Sequence, residues 1–268
     1  MKPLIVANWK MNPQSLAEAK KLFDSVKRGV KNIKKAEVVI CPPFLYLKEL
    51  KEPSSLKKNS VPLVGAQDVF WEKSGADTGE ISPSMLKDMG CQYVIVGHSE
   101  RRRYFSETDE VVNKKLKSVI EARMTPILCV GETQNQRDKG ETENILRKQI
   151  EKALNDISKL KISPYGRSPE GRQNSKLIIA YEPIWAIGTK NPCSVDDTLT
   201  VILFIRKIIS RILTKKAAKK IRILYGGSVD SNNAKDYLKE EEMNGLLVGG
   251  ASLNSKEFLN ILKIAGNH

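Results

Sequence analysis

Cysteine and histidine are scarce in this sequence, and their spacing does not suggest a metal site. The 268 residues include four cysteines, Cys41, Cys91, Cys129 and Cys193, which lie far apart along the chain. No two of them have the spacing of a zinc site or of a disulfide framework. One of the two histidines is the last residue. The composition therefore predicts neither a disulfide framework nor a metal centre.

Long hydrophobic runs are also absent. No apolar run approaches the roughly 18 residues that a membrane-spanning helix needs. The first apolar run turns polar at Asn8, before the hydrophobic core of a signal peptide could form. We therefore expect no contact with a membrane and a cytoplasmic location.

Acidic residues are fewer than basic ones. The chain has 45 lysines and arginines against 31 aspartates and glutamates, which gives a formal net charge of +14. Clusters such as 215–220 could contact the phosphates of a nucleic acid. The lysines are scattered over many segments, however, and no aromatic residues lie among them to stack on bases. We interpret them as solvated helix faces, expect no nucleic-acid partner, and expect the positive field to attract a small dianionic substrate.

Eight short apolar runs recur along the chain, and most are continuous rather than alternating. Such runs are typical of parallel strands that are buried on both faces. Amphipathic stretches lie between them, and several begin at a helix-capping residue, such as Ser15, Ser194 or Asn254. The runs cover residues 4–7, 38–41, 61–64, 93–96, 126–129, 177–180, 221–224 and 245–248.

Strand and helix thus alternate eight times, which predicts βαβ units with right-handed crossovers. Eight units in one chain favour a closed (β/α)8 barrel of eight parallel strands, and an open doubly wound sheet is the alternative that the pattern leaves. We predict a single α/β domain over residues 1–268. Residues 161–174 are rich in Gly, Pro, Ser and Arg, so they are expected to form an exposed loop insertion between helix 5 and strand 6.

Polar residues follow several of the predicted strands. Asn8 and Lys10 follow the first strand, His98 the fourth and Glu182 the sixth. Barrel enzymes carry their chemistry at the carboxyl ends of their strands, so these side chains should meet at one mouth. A carboxylate base, an imidazole and a cation together suit proton abstraction next to a carbonyl.

Two glycine pairs follow the seventh and eighth strands, at 226–227 and 249–250. Barrels commonly bind phosphate at this place, through backbone N–H groups that a ligand can reach where no side chain intervenes. One pair alone is equally typical of a tight turn. Two pairs, each followed by a helical pattern, favour a phosphate site.

Four segments resemble the signatures of the triosephosphate isomerase family. The resemblance runs in order along nearly the whole chain, apart from the insertion. The segments are residues 8–12 (NWKMN), 96–102 (VGHSERR), 180–189 (AYEPIWAIGT) and 225–229 (YGGSV). It implies a TIM barrel that interconverts dihydroxyacetone phosphate and D-glyceraldehyde 3-phosphate in glycolysis and gluconeogenesis. This intramolecular aldose–ketose isomerase would need no cofactor and no metal.

The resemblance also implies a role for each residue at the mouth. Glu182 would be the base that moves the proton, and His98, as a neutral imidazole, would polarise the carbonyl. Lys10 would place a fixed positive charge near the enediolate, and Asn8 would supply an amide. Glu100 is expected to orient this set rather than to react. The substrate would contact Asn8, Lys10, Gly188, Ser228, Gly249 and Gly250, whereas Cys129 is expected to serve packing.

A homodimer and a lid are implied as well. The loop from residue 66 to residue 80 would enter the partner subunit, where Thr78 would complete the site. Asp77 stands where the family usually has an aromatic residue, and we expect it to pair with a basic residue of the partner. Residues 183–193 would close over the substrate. Lys190 stands where the family commonly has glycine, and we expect that this position does not require a positive φ.

The alternative is another phosphate-binding barrel enzyme, such as an aldolase or a sugar-phosphate synthase. An aldolase of this fold would need a Schiff-base lysine within a central strand. The apolar runs offer no lysine at such a place. The isomerase is therefore the favoured hypothesis.

Overall fold

The computed structural model describes residues 1–51, 61–157 and 177–267 of the chain. Eight parallel strands form a closed barrel in sequence order, and β1 pairs with β8 to complete it. The strands are β1 (Leu4–Asn8), β2 (Glu37–Cys41), β3 (Leu63–Ala66), β4 (Tyr93–Val96), β5 (Thr125–Val130), β6 (Ile178–Tyr181), β7 (Arg222–Tyr225) and β8 (Gly245–Val248). The barrel predicted from the sequence is confirmed, and the open sheet is not formed.

Helices follow the strands around the outside of the barrel. Within the described residues they are α1 (Leu16–Val30), α2 (Pro83–Asp88), α3 (Ser99–Tyr104), α4 (Asp109–Glu121), α5 (Gln134–Asp138), α6 (Thr142–Ala153), α7 (Val195–Ile212), α8 (Lys215–Ala218), α9 (Ala234–Leu238) and α10 (Ser255–Gly266). Short 3-10 turns occupy Phe44–Tyr46, Ile184–Ala186 and Gly250–Leu253. No helix among the described residues is both long and apolar enough to cross a membrane.

The predicted helix starts are confirmed. The Ser15 hydroxyl accepts a hydrogen bond from the Glu18 N–H, and Ser194 accepts one from the Asp197 N–H. The Asn254 side chain caps α10 by accepting bonds from two backbone N–H groups. Each bond satisfies a donor that the first helical turn leaves free, which stabilises the helix by about 1 kcal/mol.

Two hydrophobic cores explain the continuous apolar runs. Leu4 and Val6 of β1 point into the barrel and belong to its inner core, whereas Ile5 and Ala7 pack in the outer core beneath the helices. All four side chains are fully buried. Because both faces of each strand are covered, the inner positions are apolar, and polar side chains occur only at the first or last residue of a strand.

The third strand lies two residues later than predicted. The apolar run began at Val61, but β3 begins at Leu63, after Pro62. Proline has no N–H to donate to a neighbouring strand. Gly65 lies within β3, and glycine is required there because a side chain would collide with its neighbours. An added Cβ would lie 2.7 Å from the Cys41 Sγ.

The predicted insertion at residues 161–174 lies outside the described residues. It belongs to the connection between α6, which ends at Ala153, and β6, which begins at Ile178. Its status as an exposed loop therefore stays a prediction.

Candidate active site

A cavity of about 510 Å³ opens at the carboxyl ends of the strands. It brings together eight of the residues selected from the sequence: Asn8, Lys10, His98, Glu182, Gly188, Ser228, Gly249 and Gly250. Glu100 is not part of the lining and reaches the site through Lys10. Thr78 also lies outside the lining, in a fully exposed stretch from residue 72 to residue 80.

Glu182 and His98 form the centre of this cavity. Glu182 follows β6 directly and is only 2% exposed, and His98 follows β4 and is 6% exposed. The carboxylate Oε1 lies 3.1 Å from the imidazole Nε2, and Oε2 accepts a hydrogen bond of 3.2 Å from the Ser99 N–H. Both carboxylate oxygens are therefore held by the start of α3.

The protonation state of Glu182 follows from these contacts. Burial raises its pKa, but His98 and the Ser99 N–H favour the charged form more strongly, so the pKa lies below the usual range for a glutamate. Glu182 is therefore a carboxylate at neutral pH. A carboxylate held in a buried site is a competent base once it turns from these donors towards a C–H group.

The geometry of His98 selects one tautomer of its ring. His98 is the N-cap of α3, and its Nδ1 accepts a hydrogen bond of 3.2 Å from the Glu100 N–H. A nitrogen that accepts a bond carries no proton, so the remaining ring proton lies on Nε2, which faces Glu182. The ring is then neutral and can donate from Nε2.

The pKa of His98 depends on its contact with Glu182. Burial lowers this pKa, but the carboxylates of Glu182 and Glu100 together raise it more, so it lies above the usual range for a histidine. When Glu182 turns away towards a substrate, the larger of the two raising contacts is lost, while burial still lowers the pKa and the Glu100 N–H bond to Nδ1 remains. The neutral imidazole is thus favoured in the state in which it would act.

Lys10 is fixed from several sides. Its backbone is left-handed, with φ of 54°, and its N–H donates to the Asn8 Oδ1 at 3.0 Å. Its ammonium group forms an ion pair of 2.5 Å with Glu100. Gln67 Nε2 donates to the carbonyls of Lys10 and Cys41, at 2.9 Å each. These bonds place the Lys10 charge at the mouth before any ligand arrives.

Gln67 is a residue whose role the sequence analysis missed. It follows β3 directly, as Asn8 and His98 stand at or just after the ends of their own strands. Its position directly after a strand is the feature from which Gln67 could have been recognised in the sequence. Its two hydrogen-bond partners come from the ends of β1 and β2, and no local pattern in the sequence announces them.

Glycine is required at the two positions after β7 because neighbouring side chains approach the backbone closely there. A Cβ added at Gly226 would lie 3.0 Å from the Glu182 Cγ, and one added at Gly227 would lie 2.2 Å from the Tyr225 hydroxyl. A side chain at either position would displace a residue of the site. Asn233, also missed from the sequence, supports this turn by donating to the Ser228 carbonyl at 3.1 Å.

The segment from Pro183 to Cys193 is anchored at both ends. Near its start, Trp185 Nε1 donates to the Glu132 carboxylate at 3.0 Å, and the Tyr181 hydroxyl donates to the same oxygen. At its end, the Cys193 N–H donates to the Tyr225 hydroxyl at 2.9 Å. These anchors could not be recognised from local sequence patterns, because they join residues more than 30 positions apart.

Lys190, near the middle of this segment, has φ of +61°, so the expectation that this position does not require a positive φ is wrong. The reason is a tight turn built around Thr189. Its hydroxyl oxygen lies 3.1 Å from the Ala186 carbonyl and accepts a bond from the Asn191 N–H. This turn places Gly188 and Lys190 on left-handed backbone, with φ of 72° at Gly188.

Cys129 lies in the inner core of the barrel and is 1% exposed. Burial raises the pKa of its thiol well above the usual range, and the nearby Glu182 carboxylate adds to this effect. The residue therefore stays an uncharged thiol. The described residues contain no group of three or more His, Cys, Asp or Glu side chains that could hold a metal ion.

The fold and the cavity together define the class of this protein as a (β/α)8-barrel enzyme. A family model described as triosephosphate isomerase matches residues 3–265. Two similar proteins named triosephosphate isomerase come from Dictyoglomus turgidum, with 46% identity over 263 residues, and Dictyoglomus thermophilum, with 45% over 260. Each alignment covers 97% of this chain and 98% of the relative. A third, from Endomicrobium trichonymphae, is 44% identical and covers 98% of both chains.

The chain therefore belongs to the triosephosphate isomerase family. It is an isomerase that interconverts triose phosphates.

Proposed function

We propose that Glu182, His98 and Lys10 carry out the interconversion of dihydroxyacetone phosphate and D-glyceraldehyde 3-phosphate, in glycolysis and gluconeogenesis. The observation that carries this assignment is the contact of 3.1 Å between Glu182 Oε1 and His98 Nε2 at the floor of the cavity. It pairs a buried carboxylate with an imidazole that donates from Nε2. These are the two groups that a proton transfer next to a carbonyl needs.

Glu182 removes the proton from one carbon and returns it to the next. Its low pKa keeps it charged in the free enzyme. Turning towards the substrate costs it the Ser99 N–H and the His98 contact, and both losses make the carboxylate more basic. The Glu182 carboxylate is thus a stronger base when it lies against the substrate carbon than when it contacts His98.

His98 donates from Nε2 to the oxygen that becomes negative in the enediolate. The Glu100 N–H holds Nδ1 as an acceptor, so the ring does not carry a positive charge during this step. Because the ring is already oriented, no reorganisation is needed as the charge develops. The ring can then pass a proton between the two oxygens.

Lys10 and Asn8 supply the remaining charge and hydrogen-bond donor near the reacting atoms. The ammonium group lies in the same cavity lining as the two reacting side chains and stabilises the enediolate. Glu100 is a positioning residue: its ion pair of 2.5 Å holds the ammonium group in place. The phosphate group occupies the glycine-rich end, against Gly188, Ser228, Gly249 and Gly250.

Replacement of the base tests this proposal. Glu182→Gln removes the charge but keeps the shape, and turnover of glyceraldehyde 3-phosphate should fall by at least about 10²–10⁴-fold. Glu151→Gln is the matched control, because it changes an exposed glutamate of α6 in the same way. Retention of more than about a tenth of the wild-type kcat in Glu182→Gln would overturn the assignment of the base.

We propose that the active form is a homodimer. Most of the large apolar side chains that are exposed among the described residues lie in connections that follow β1, β2, β3 or β4, and five of them are strongly exposed. They are Met11, Leu45, Met85, Tyr104 and Phe105. The exposed loop that contains Thr78 lies in the same sector. A second copy that covers this sector would remove these apolar groups from water and bring Thr78 close to the partner's site.

The charge of Asp77 offers a test of the dimer. Asp77 is exposed in the free chain, and its burial without a partner would cost several kcal/mol. We expect it to pair with an arginine or lysine of the other subunit, so the dissociation constant should rise with salt. Sedimentation that finds a salt-independent dimer, or a monomer with full activity, would contradict this proposal.

The cytoplasm is the proposed compartment. All four cysteines are buried free thiols, a state typical of reducing compartments. Fractionation of cells that express the tagged chain should recover isomerase activity with cytoplasmic markers. Recovery with membrane or extracytoplasmic markers would contradict this assignment.

A further inference from the structure

Lys190 lines the cavity, and the mechanism above makes no use of its charge. It lies two residues after Gly188, in the same lining as Ser228 and Gly250. It has no ion-pair partner among the residues that the structure describes. A cation without an acidic partner therefore stands at the glycine-rich end of the cavity.

The other charged groups of the cavity show why the charge of Lys190 matters for an anionic ligand. The lining contains two lysines, Lys10 and Lys190, together with the carboxylates of Glu182 and Asp230. The charge of Lys10 is offset by Glu100 at 2.5 Å. Of the two lysines in the described lining, only Lys190 therefore has a charge that no ion-paired carboxylate offsets, so it is the cation available to a phosphate dianion.

The backbone conformation of Lys190 also supports a role in the cavity. Lys10 and Lys190 both have left-handed backbone, with φ of 54° and 61°. This conformation disfavours any residue with a side chain, and glycine would adopt it without cost. Such outliers tend to occur at functional sites. Five non-glycine residues of the described chain have such a backbone, and Lys10 and Lys190 are the two that line the cavity.

We propose that Lys190 is a substrate-binding residue, which contacts the phosphate dianion when the lid lies over the cavity. This inference rests on the proposed placement of the phosphate against Gly188, Ser228, Gly249 and Gly250. The phosphate does not react, so its contact with Lys190 is equally strong in the ground state and the transition state. Loss of such a contact raises KM and leaves kcat nearly unchanged.

Removal of the charge tests the proposal. Lys190→Met should raise KM for glyceraldehyde 3-phosphate, and weaken inhibition by inorganic phosphate, by about three- to ten-fold, which is the size expected for one partly exposed charge pair. The kcat should stay within about two-fold. The dependence of kcat/KM on salt should also become shallower. Lys190→Arg, which keeps the charge, should recover most of the lost affinity.

Two controls separate charge from other effects. Lys207→Met removes an exposed lysine of α7 that lies outside the cavity lining, and it should leave KM unchanged. Unphosphorylated glyceraldehyde carries no dianion, so Lys190→Met should turn it over as the wild type does. Equal KM values for Lys190→Met and Lys207→Met, or an equal loss with glyceraldehyde, would overturn the proposal.

A third variant tests the phosphate placement itself. Gly250→Asp puts a carboxylate into open space at the proposed phosphate end, since no atom lies within 4 Å of an added Cβ. It should weaken inhibition by inorganic phosphate more than Lys190→Met does. If it leaves that inhibition unchanged, the phosphate placement fails and the Lys190 proposal fails with it. If Gly250→Asp weakens inhibition and Lys190→Met does not, only the Lys190 proposal fails.

Discussion

Two parts of the cavity lining differ in kind: the wall formed after β1, β4 and β6 presents side chains held by hydrogen bonds, whereas the wall formed after β6, β7 and β8 presents mainly backbone. The first wall, here termed the catalytic wall, consists of Asn8, Lys10, His98 and Glu182. The second, termed the phosphate wall, consists of Gly188, Ser228, Gly249 and Gly250. The catalytic wall follows directly from rigid strands, and part of the phosphate wall belongs to the Pro183–Cys193 lid.

This difference reflects the two tasks of the site. Proton transfer requires reacting atoms at fixed distances, and a misplacement of about 1 Å can cost on the order of 10²-fold in rate. A phosphate group needs many N–H donors at close range, which glycine-rich backbone supplies. A movable wall can also exclude water and then release the product.

Apart from replacement of the base, the largest expected effect comes from removing part of the phosphate wall. Deletion of residues 187–190 shortens the lid and leaves the catalytic wall in place. The enediolate should then lose its phosphate, so inorganic phosphate and methylglyoxal should appear, and isomerisation should slow by on the order of 10²-fold. Asn191→Ala, a change in the lid outside the cavity lining, is the control. Normal turnover of the shortened enzyme without phosphate release would show that this segment is not a lid.

A smaller effect is expected from the support of the catalytic wall. Gln67→Ala removes two hydrogen bonds, those to the Lys10 and Cys41 carbonyls, and leaves left-handed Lys10 less well held. Such bonds contribute about 0.5–1.5 kcal/mol each, so kcat/KM should fall by about ten-fold. The measurement is steady-state kinetics together with thermal unfolding.

Asn113→Ala provides a matched control for Gln67→Ala. The Asn113 amide also donates two bonds to backbone carbonyls, those of Ala153 and Asn155, but it does so away from the cavity. Both variants should lose similar stability, and only Gln67→Ala should lose activity. Equal kinetics in the two variants would mean that Gln67 serves stability alone.

The barrel and most of the catalytic wall could be predicted from the sequence because their signals are local. Eight continuous apolar runs predict the strands, and His98 and Glu182 are recognisable because each follows such a run. The long-range hydrogen bonds of Gln67 and Trp185 could not be predicted. They depend on which strand ends become neighbours in the closed barrel.

The φ angle of Lys190 could not be predicted for a related reason. It is imposed by the turn that the Thr189 hydroxyl organises between Ala186 and Asn191. A threonine can form such bonds in several kinds of turn. The composition of the lid therefore does not determine which of its residues become left-handed.

The smallest expected effect concerns the connection between α6 and β6. Residues 161–174 connect α6 to the amino end of β6, and the cavity lies at the carboxyl ends of the strands. Replacement by a short Gly-Ser bridge should leave kcat and KM within about two-fold, since the length of an exposed loop has little effect on free energy. A large loss of activity in a folded variant would show that the segment reaches the site or the partner subunit.

The central claim is that Glu182 carries a proton between two carbons of the substrate. NMR of the glyceraldehyde 3-phosphate formed from dihydroxyacetone phosphate in D₂O tests it most directly. A carboxylate that has taken a proton can exchange it with solvent before returning it. Part of the product should therefore carry deuterium at the carbon next to the aldehyde, and Glu182→Gln should form almost no product. A product without any deuterium, formed equally well by Glu182→Gln, would indicate a direct hydride shift and contradict the account.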